Sequence, residues 1–214
     1  VHDAYETGLK TTLFDRRLRL NGSVYYYNYR NIQLISQRGA SQVLLNAASG
    51  KIYGADLDFN AALTDTITLR GGGSYTHARY KDFPAAPSGV PNPLPPYGNT
   101  ITGVSADGNR MVFTPDWTAN IASDVRVPMS IGDVTFSASY VYNSGFYFTP
   151  DEAIRQKAYS VVNGQIMWKS ADEKFNVRLW ARNLFNEKYL NSAFSQTSGD
   201  SGVAAPGRTF GGSI

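Results

Sequence analysis

The sequence predicts an all-β fold: a segment of an antiparallel, up-and-down transmembrane β-barrel of about nine strands. Three observations carry that expectation. Apolar and polar residues alternate over strand-length stretches, which places them on opposite faces of a strand. The connections alternate between short and long. Aromatic residues are in excess, with 14 Tyr and 11 Phe against 3 Met, as the interfacial girdles of a membrane barrel require. No run of about 18 apolar residues exists, so a transmembrane helix is excluded. Strands that are apolar only at alternate positions remain compatible with the negative mean hydropathy.

The strands are expected in the following order. The first runs over Tyr5–Phe14 and ends at the turn Asp15-Arg16-Arg17. The second, Leu18–Arg30, sets Leu18, Leu20, Gly22 and Val24 against Arg19, Asn21 and Ser23, and ends in the aromatic run Tyr25–Tyr29. A polar connection is expected over Asn31–Gln42. The third strand, Val43–Leu63, sets Tyr53, Ala55, Leu57 and Phe59 against Gly54, Asp56, Asp58 and Asn60. Two carboxylates on one face cannot look into lipid, so that face is a lumen.

After the turn Thr64-Asp65-Thr66, the fourth strand is Ile67–Tyr80, where Gly71-Gly72-Gly73 permits a bend or bulge. Lys81–Asn109 holds six prolines and reads as a long irregular loop of functional type. Strand five is Arg110–Val127, with a turn near Pro128–Gly132, and strand six is Asp133–Asn143. The connection Ser144–Lys157 carries Phe146-Tyr147-Phe148. Strand seven is Ala158–Lys169, followed by the turn Ser170–Glu173. Strand eight, Phe175–Arg182, turns Phe175, Val177, Leu179 and Ala181 to lipid and Asn176, Arg178, Trp180 and Arg182 to the lumen. Asn186–Pro206 is a further long connection, and Gly207–Ile214 begins a ninth strand.

Short turns at one end and long loops at the other are the asymmetry of outer-membrane barrels. Nine strands leave two open edges, which lipid does not tolerate, so the chain is expected to be part of a larger barrel. With no cysteine, disulfides and thiolate metal sites are excluded. A net charge of +3 and the lack of a basic cluster beyond Arg16–Arg19 argue against a nucleic-acid partner.

Candidate chemistry is sparse. Asp56 and Asp58 suit a polar lumen row better than a cation site. His77 has only His2 for company, and no serine sits in a nucleophile elbow, so an enzyme is not expected. Gly71-Gly72-Gly73 lacks the Lys-Ser/Thr of a phosphate loop. No cofactor is implied.

Several stretches, in order, resemble the TonB-dependent outer-membrane receptor family. Glu6-Thr7-Gly8-Leu9-Lys10 resembles its E-x-G-x-K strand. Ser49–Asp56 resembles its G-x-x-x-G-x-E strand, with Asp56 in place of Glu. Pro115-Asp116-Trp117 resembles its P-x-W strand start. Asn183-Leu184-Phe185-Asn186-Glu187-Lys188-Tyr189 is similar to its N-L-F-(N/D)-x-x-Y signature, and Pro206–Gly211 to its final strand. The aromatic residue that normally closes the family's last strand is missing at Ile214.

The resemblance implies a barrel of about 22 strands around a plug, of which residues 1–214 would be the C-terminal portion with the plug absent. It also implies the bacterial outer membrane, surrounding lipid, TonB acting through the absent N-terminal plug region, and uptake of a small-molecule ligand such as a ferric siderophore. Tyr80, Phe83 and Tyr97 of the long loop, Phe146, Tyr147 and Phe148, and the lumen residues Arg178 and Trp180 are the expected ligand contacts. For Arg178, Trp180 and Arg182 a lumen ladder paired with neighbouring carboxylates weighs more than direct ligand contact. The Tyr25–Tyr29 run suits a membrane girdle. The alternatives are a non-transport outer-membrane barrel, such as an adhesin or surface receptor, and a soluble β-sandwich.

Overall fold

The structure, a computed structural model, describes residues 2–38 and 41–214. One antiparallel sheet of nine strands forms the wall: β1 (His2–Leu13), β2 (Leu18–Arg38), β3 (Ser41–Ala62), β4 (Ile67–Lys81), β7 (Trp117–Met129), β8 (Gly132–Asn143), β11 (Tyr159–Ser170), β12 (Asn176–Arg182) and β15 (Thr209–Ser213). Each pairs with its neighbours in chain order, as an up-and-down barrel requires. Three two-stranded hairpins stand apart from the wall: β5 (Ala86–Pro91) with β6 (Asn99–Val104), β9 (Phe146–Tyr147) with β10 (Arg155–Gln156), and β13 (Leu190–Gln196) with β14 (Gly199–Ala204). All three lie at the long-loop end.

Period-two alternation sorts the wall into two faces. Leu9, Gly22, Leu57, Gly73 and Ala119 form one cross-strand row, and Val125, Phe136, Ile166 and Leu179 another. Leu9, Leu57, Phe136, Ile166 and Leu179 are all exposed. Among the described residues no second sheet covers this apolar face, so the β-sandwich has no counterpart for its core. The opposite face carries Asn21, Asp58, Asp124, Ser137, Gln165 and Arg178. Asn21 Nδ2 donates to Asp58 at 2.8 Å and Ser137 Oγ to Asp124 at 2.5 Å. Between Tyr53 and Ala61 the apolar face runs about 27 Å along the strand, or about 20 Å once tilted, close to the height of a barrel's lipid belt.

Several expected boundaries shift. The polar connection expected over Asn31–Gln42 is instead strand: β2 and β3 continue as a long hairpin past the wall, paired from Ile32↔Ala48 to Arg38↔Ser41. Its apolar residues (Ile32, Leu34, Ile35, Val43, Leu44, Leu45) have the propensity for it. The register shifts at Tyr29–Ile32, where Asn31 has φ 57°. The hairpin's tip lies outside the described residues. The Lys81–Asn109 stretch is not irregular throughout, despite its prolines. Pro87 and Pro91 share one parity of β5, so both can face away from β6, where an N–H is not needed. Strand five begins at Trp117, not Arg110; the stretch before it meets β4 at an isolated bridge, Arg79↔Arg110, and through the Thr76 N–H, which donates to the Asp116 carbonyl at 2.9 Å. Gly71-Gly72-Gly73 makes no bulge, because the registers to β3 and β7 run through it unbroken. At the turn before β12, the Ser170 hydroxyl (2.7 Å) and the Lys174 N–H (3.3 Å) donate to Asp172 and hold its carboxyl below the usual carboxylate range.

Candidate functional site

The long-loop end is tied into one body. Ala78, Tyr80, Phe83, Ala86, Ala106 and Met111 form a small core, with Ile32 and Ile52 packed against it. Gly50 makes this possible: the Met111 side chain occupies the place a Cβ would take. Asp107 accepts the Phe83 N–H, and the Tyr80 and Phe83 rings meet edge to face at 5.2 Å.

The next loop is fastened to this one by three hydrogen bonds. Asn109 Nδ2 donates to the Pro150 carbonyl (2.9 Å), the Arg110 N–H to Glu152 (2.8 Å) and the Phe113 N–H to the Tyr147 carbonyl (2.9 Å). Phe113, Phe146 and Phe148 form a ring cluster with centroids 5.0 to 5.8 Å apart. Tyr147 has the guanidinium of Arg110 at 6.0 Å and that of Arg155 at 5.6 Å from its ring centre.

Buried Asn99 ties in the third loop. Its Nδ2 donates to Ser195 Oγ and to Asp200, each at 2.8 Å, and its N–H to the Thr197 carbonyl at 3.0 Å. Asn99→Ala keeps the backbone bond to Thr197 but takes the donor from Ser195 Oγ and Asp200, at a local cost of about 1–3 kcal/mol. Proteinase K should then cut residues 92–98 or 197–200 of the intact protein faster; an unchanged rate would rule the staple out.

Below the loops, the polar face carries two features. The first is a tyrosine ladder. Tyr25 and Tyr27 stack at 5.3 Å, and Tyr27 meets Tyr29 edge-on at 6.2 Å. The Tyr25 hydroxyl bonds the Thr76 hydroxyl at 2.8 Å, and its ring crosses Gly54. The girdle expected of Tyr25–Tyr29 is therefore corrected: Tyr25, Tyr27 and Tyr29 share a face with Asp56, and of the tyrosines only Tyr26 joins the apolar face. The signal was present in the sequence, since Tyr25 continues the parity of Arg19, Asn21 and Ser23.

The second feature is a concavity of about 370 Å³ lined by Arg70, Asp124, Asn163, Gln165, Arg178, Trp180 and Arg182, among others. Arg70 pairs with Asp124 at 2.6 Å. The Arg182 guanidinium lies 5.2 Å from the Trp180 ring centre. The expected pairing of Arg178 and Arg182 with carboxylates is not found. Neither has one within 4.0 Å among the described residues. The register shows why: two strands, β8 and β11, lie between Asp124 and β12, and Asp124 is already held by Arg70.

The eight expected contact residues thus separate. Arg178 and Trp180 share the concavity. Tyr97 is exposed, and Phe146 and Tyr147 are half-buried in the loop body. Tyr80, Phe83 and Phe148 are buried and hold the loops together. Sequence reasoning missed the tyrosine ladder and also the role of Asn183 and Asn186, both at positive φ (50° and 56°) in the turn after β12. Among the described residues, no group of three His, Cys, Asp or Glu could hold a metal ion.

Comparison with known proteins accords with this architecture. A family model described as "TonB dependent receptor-like, beta-barrel" matches residues 3–184. The ferrichrome outer membrane transporter/phage receptor of Escherichia coli K12 is 24% identical over 199 residues, covering 89% of this chain and 23% of that protein. The pesticin receptor of Yersinia pestis is 22% identical over 207 residues, covering 97% of this chain and 28% of its own length. The chain thus spans about a quarter of the length of these relatives. Among solved structures, the ferric yersiniabactin uptake receptor FyuA of Yersinia pestis superposes with a TM-score of 0.77 at 18% identity, covering 99% of this chain and 29% of that one. The apolar outer face, polar inner face and stapled long loops therefore belong to a stretch of outer-membrane barrel wall, and the chain is a member of the TonB-dependent receptor β-barrel family.

Proposed function

We propose that this chain is the C-terminal portion of the barrel wall of a receptor that takes up a ferric siderophore, driven by TonB through a plug carried elsewhere in the protein. The observation that carries this reading is the inner face: a tyrosine ladder and two arginines without carboxylate partners among the described residues, under loops that carry exposed aromatics. Aromatic rings and free guanidinium groups suit a bulky, anionic, often aromatic chelate. The names of the relatives, receptors and transporters for ferrichrome and ferric yersiniabactin, point to the same class of cargo. In this reading Tyr97, Phe146 and Tyr147 meet the ligand from the loops and Arg178 and Trp180 from the wall. Tyr80, Phe83 and Phe148 keep the loop body in shape. The role is binding and passage, without a catalytic step.

The test is uptake of radiolabelled iron, as its hydroxamate, catecholate and phenolate chelates, by cells with and without the intact receptor. Deletion is expected to abolish uptake of one class. Arg178→Ala with Trp180→Ala should lower that uptake roughly tenfold, the loss of about 1.4 kcal/mol of binding, with the barrel still assembled. Deletion without effect on any iron chelate would sink the proposal and favour a non-transport surface barrel.

A further inference from the structure

The inner face of the wall is unevenly charged. On β1 to β3 the residues that share this face include the carboxylates Glu6, Asp56 and Asp58, with Lys10 and Arg19 as the cations toward the short turns. On the far side the balance reverses. The inward column of β11 is Tyr159, Val161, Asn163 and Gln165, and β12 adds Trp180, Arg178 and Arg182. Among the described residues the inward positions of β8, β11, β12 and β15 hold a single carboxylate, Asp133. It lies at the short-turn end, 3.6 Å from Arg126.

The concavity around these arginines also stands apart from the loops. Arg178 and Arg182 are two and six residues past the start of β12 at Asn176, the end that follows a short turn. Gln165, which lines the same concavity, is five residues from the short-turn end of β11 at Ser170. Tyr159, at the loop end of that strand, is six residues from Gln165, about 20 Å along the strand. Between the two levels Val141 and Val161 pair on the inner face and carry no charge. A small chelate held at the level of Tyr159 or above does not reach Arg178. The loop aromatics and the arginines therefore act in succession.

We propose that the cargo crosses the barrel down the β8–β11–β12 side, and that Arg182, Trp180 and Arg178 form a lower station that takes an anionic chelate after the loops release it. This rests on the uptake reading and deepens it, since capture and passage then use different residues. Charge selects the side: a lane lined by one sign of charge concentrates the opposite sign. An anion on the β1–β3 side would meet Glu6, Asp56 and Asp58 instead, and like charges repel. The station is also preformed. The Trp180 ring lies against Gly211, with Cζ2 2.7 Å from where a Cβ would stand. The Arg182 guanidinium rests 5.2 Å from the ring centre of Trp180, so it meets an incoming anion without first leaving a carboxylate.

The test uses cells carrying the intact receptor and a radiolabelled ferric tris-catecholate chelate, which is anionic, as probe. Surface binding is read in de-energised cells and uptake in energised ones. Arg178→Gln with Arg182→Gln should leave surface binding unchanged and slow uptake roughly fivefold. Arg178→Lys with Arg182→Lys keeps the charge and should recover most of the rate. Asp58→Asn, on the acidic side, should change neither readout. Loss of surface binding in step with uptake would move the arginines into the capture site. New sensitivity of the glutamine variant to vancomycin would assign them to holding the plug. Uptake unaltered by the glutamine variant, or slowed equally by Asp58→Asn, would remove the charge argument. Each of these overturns the lane. Wild-type uptake of a neutral hydroxamate chelate alone would overturn it too and leave the uptake reading standing, whereas uptake of no iron chelate at all would sink the uptake reading itself.

Discussion

Asn183→Ala is expected to lower the stability of the intact barrel by about 3 kcal/mol and to slow its assembly. Asn183 is nearly fully buried, yet polar and at positive φ. Its Oδ1 accepts the Glu187 N–H at 2.8 Å. Its Nδ2 donates to the carbonyls of Glu187 (2.9 Å) and Pro206 (3.3 Å). Its own N–H is taken by Asn163 Oδ1 at 3.0 Å on the adjoining strand. One side chain therefore closes the turn after β12 and pins the segment that returns into β15.

Alanine strands the half-buried Glu187 N–H and carbonyl, about 1–3 kcal/mol, and strains a left-handed backbone, about 1–2 kcal/mol. Asn183→Gly separates the two terms, because it relieves the backbone and still loses the bonds. The measurement is thermal unfolding followed by heat-modifiable gel mobility. The order expected is wild type, then Asn183→Gly, then Asn183→Ala. An alanine variant as stable as wild type would show that the turn is held by other contacts.

Gly54→Ala should do at least comparable damage, and Gly22→Ala should do none. Both glycines lie mid-strand in the wall, on β3 and β2. At Gly54 a Cβ would collide with the Tyr75 carbonyl and stand 2.5 Å from the Tyr25 hydroxyl. The backbone of β4 cannot yield without breaking the β3–β4 ladder, and Tyr25 cannot yield without leaving Thr76. Overpacking of this kind costs about 1–3 kcal/mol even where side chains absorb it, and here the obstacle is backbone.

At Gly22 the space is open, so alanine is expected to be neutral or to stabilise by about 0.5–1 kcal/mol through lower unfolded-state entropy. The pair is read side by side as folded fraction in outer-membrane extracts. Equal behaviour of the two variants would refute the assignment of Gly54 as a packing site for Tyr25. The same geometry explains the spacing of Gly50 and Gly54. Four residues apart on a strand, they share the inner face and receive Met111 and Tyr25.

The nine wall strands, their order and their faces were legible because period two is a local property. Phe175, Val177 and Leu179 read as outward, and Phe175 and Leu179 are exposed on that side. Asp56 and Asp58 read as inward, and Asp58 is bonded there to Asn21. The family motifs at Asn183–Tyr189 and Ser49–Asp56 were visible as letters, but their work was not. Asn183 acts through Pro206, 23 residues on, and Gly54 through Tyr25, 29 residues back. The site was less legible. Tyr80 and Phe83 looked like ligand contacts because they border a proline-rich loop, and the fold buries them in a core with Met111. Arg178 looked like one rung of a charge ladder, but Asp124, the carboxylate that lines the same concavity, is paired with Arg70.

Alternation along the chain, turn length and aromatic content determined by themselves that this is a barrel wall, which strands compose it and which face meets lipid, since each depends on residues a few positions apart. Only the tertiary structure decided which loop residues are buried, which arginines lack a carboxylate partner among the described residues, and which glycines are filled by protein and which are open. Those outcomes depend on what lies across the sheet or above it, and strand register and loop packing bring such neighbours together from tens of residues away.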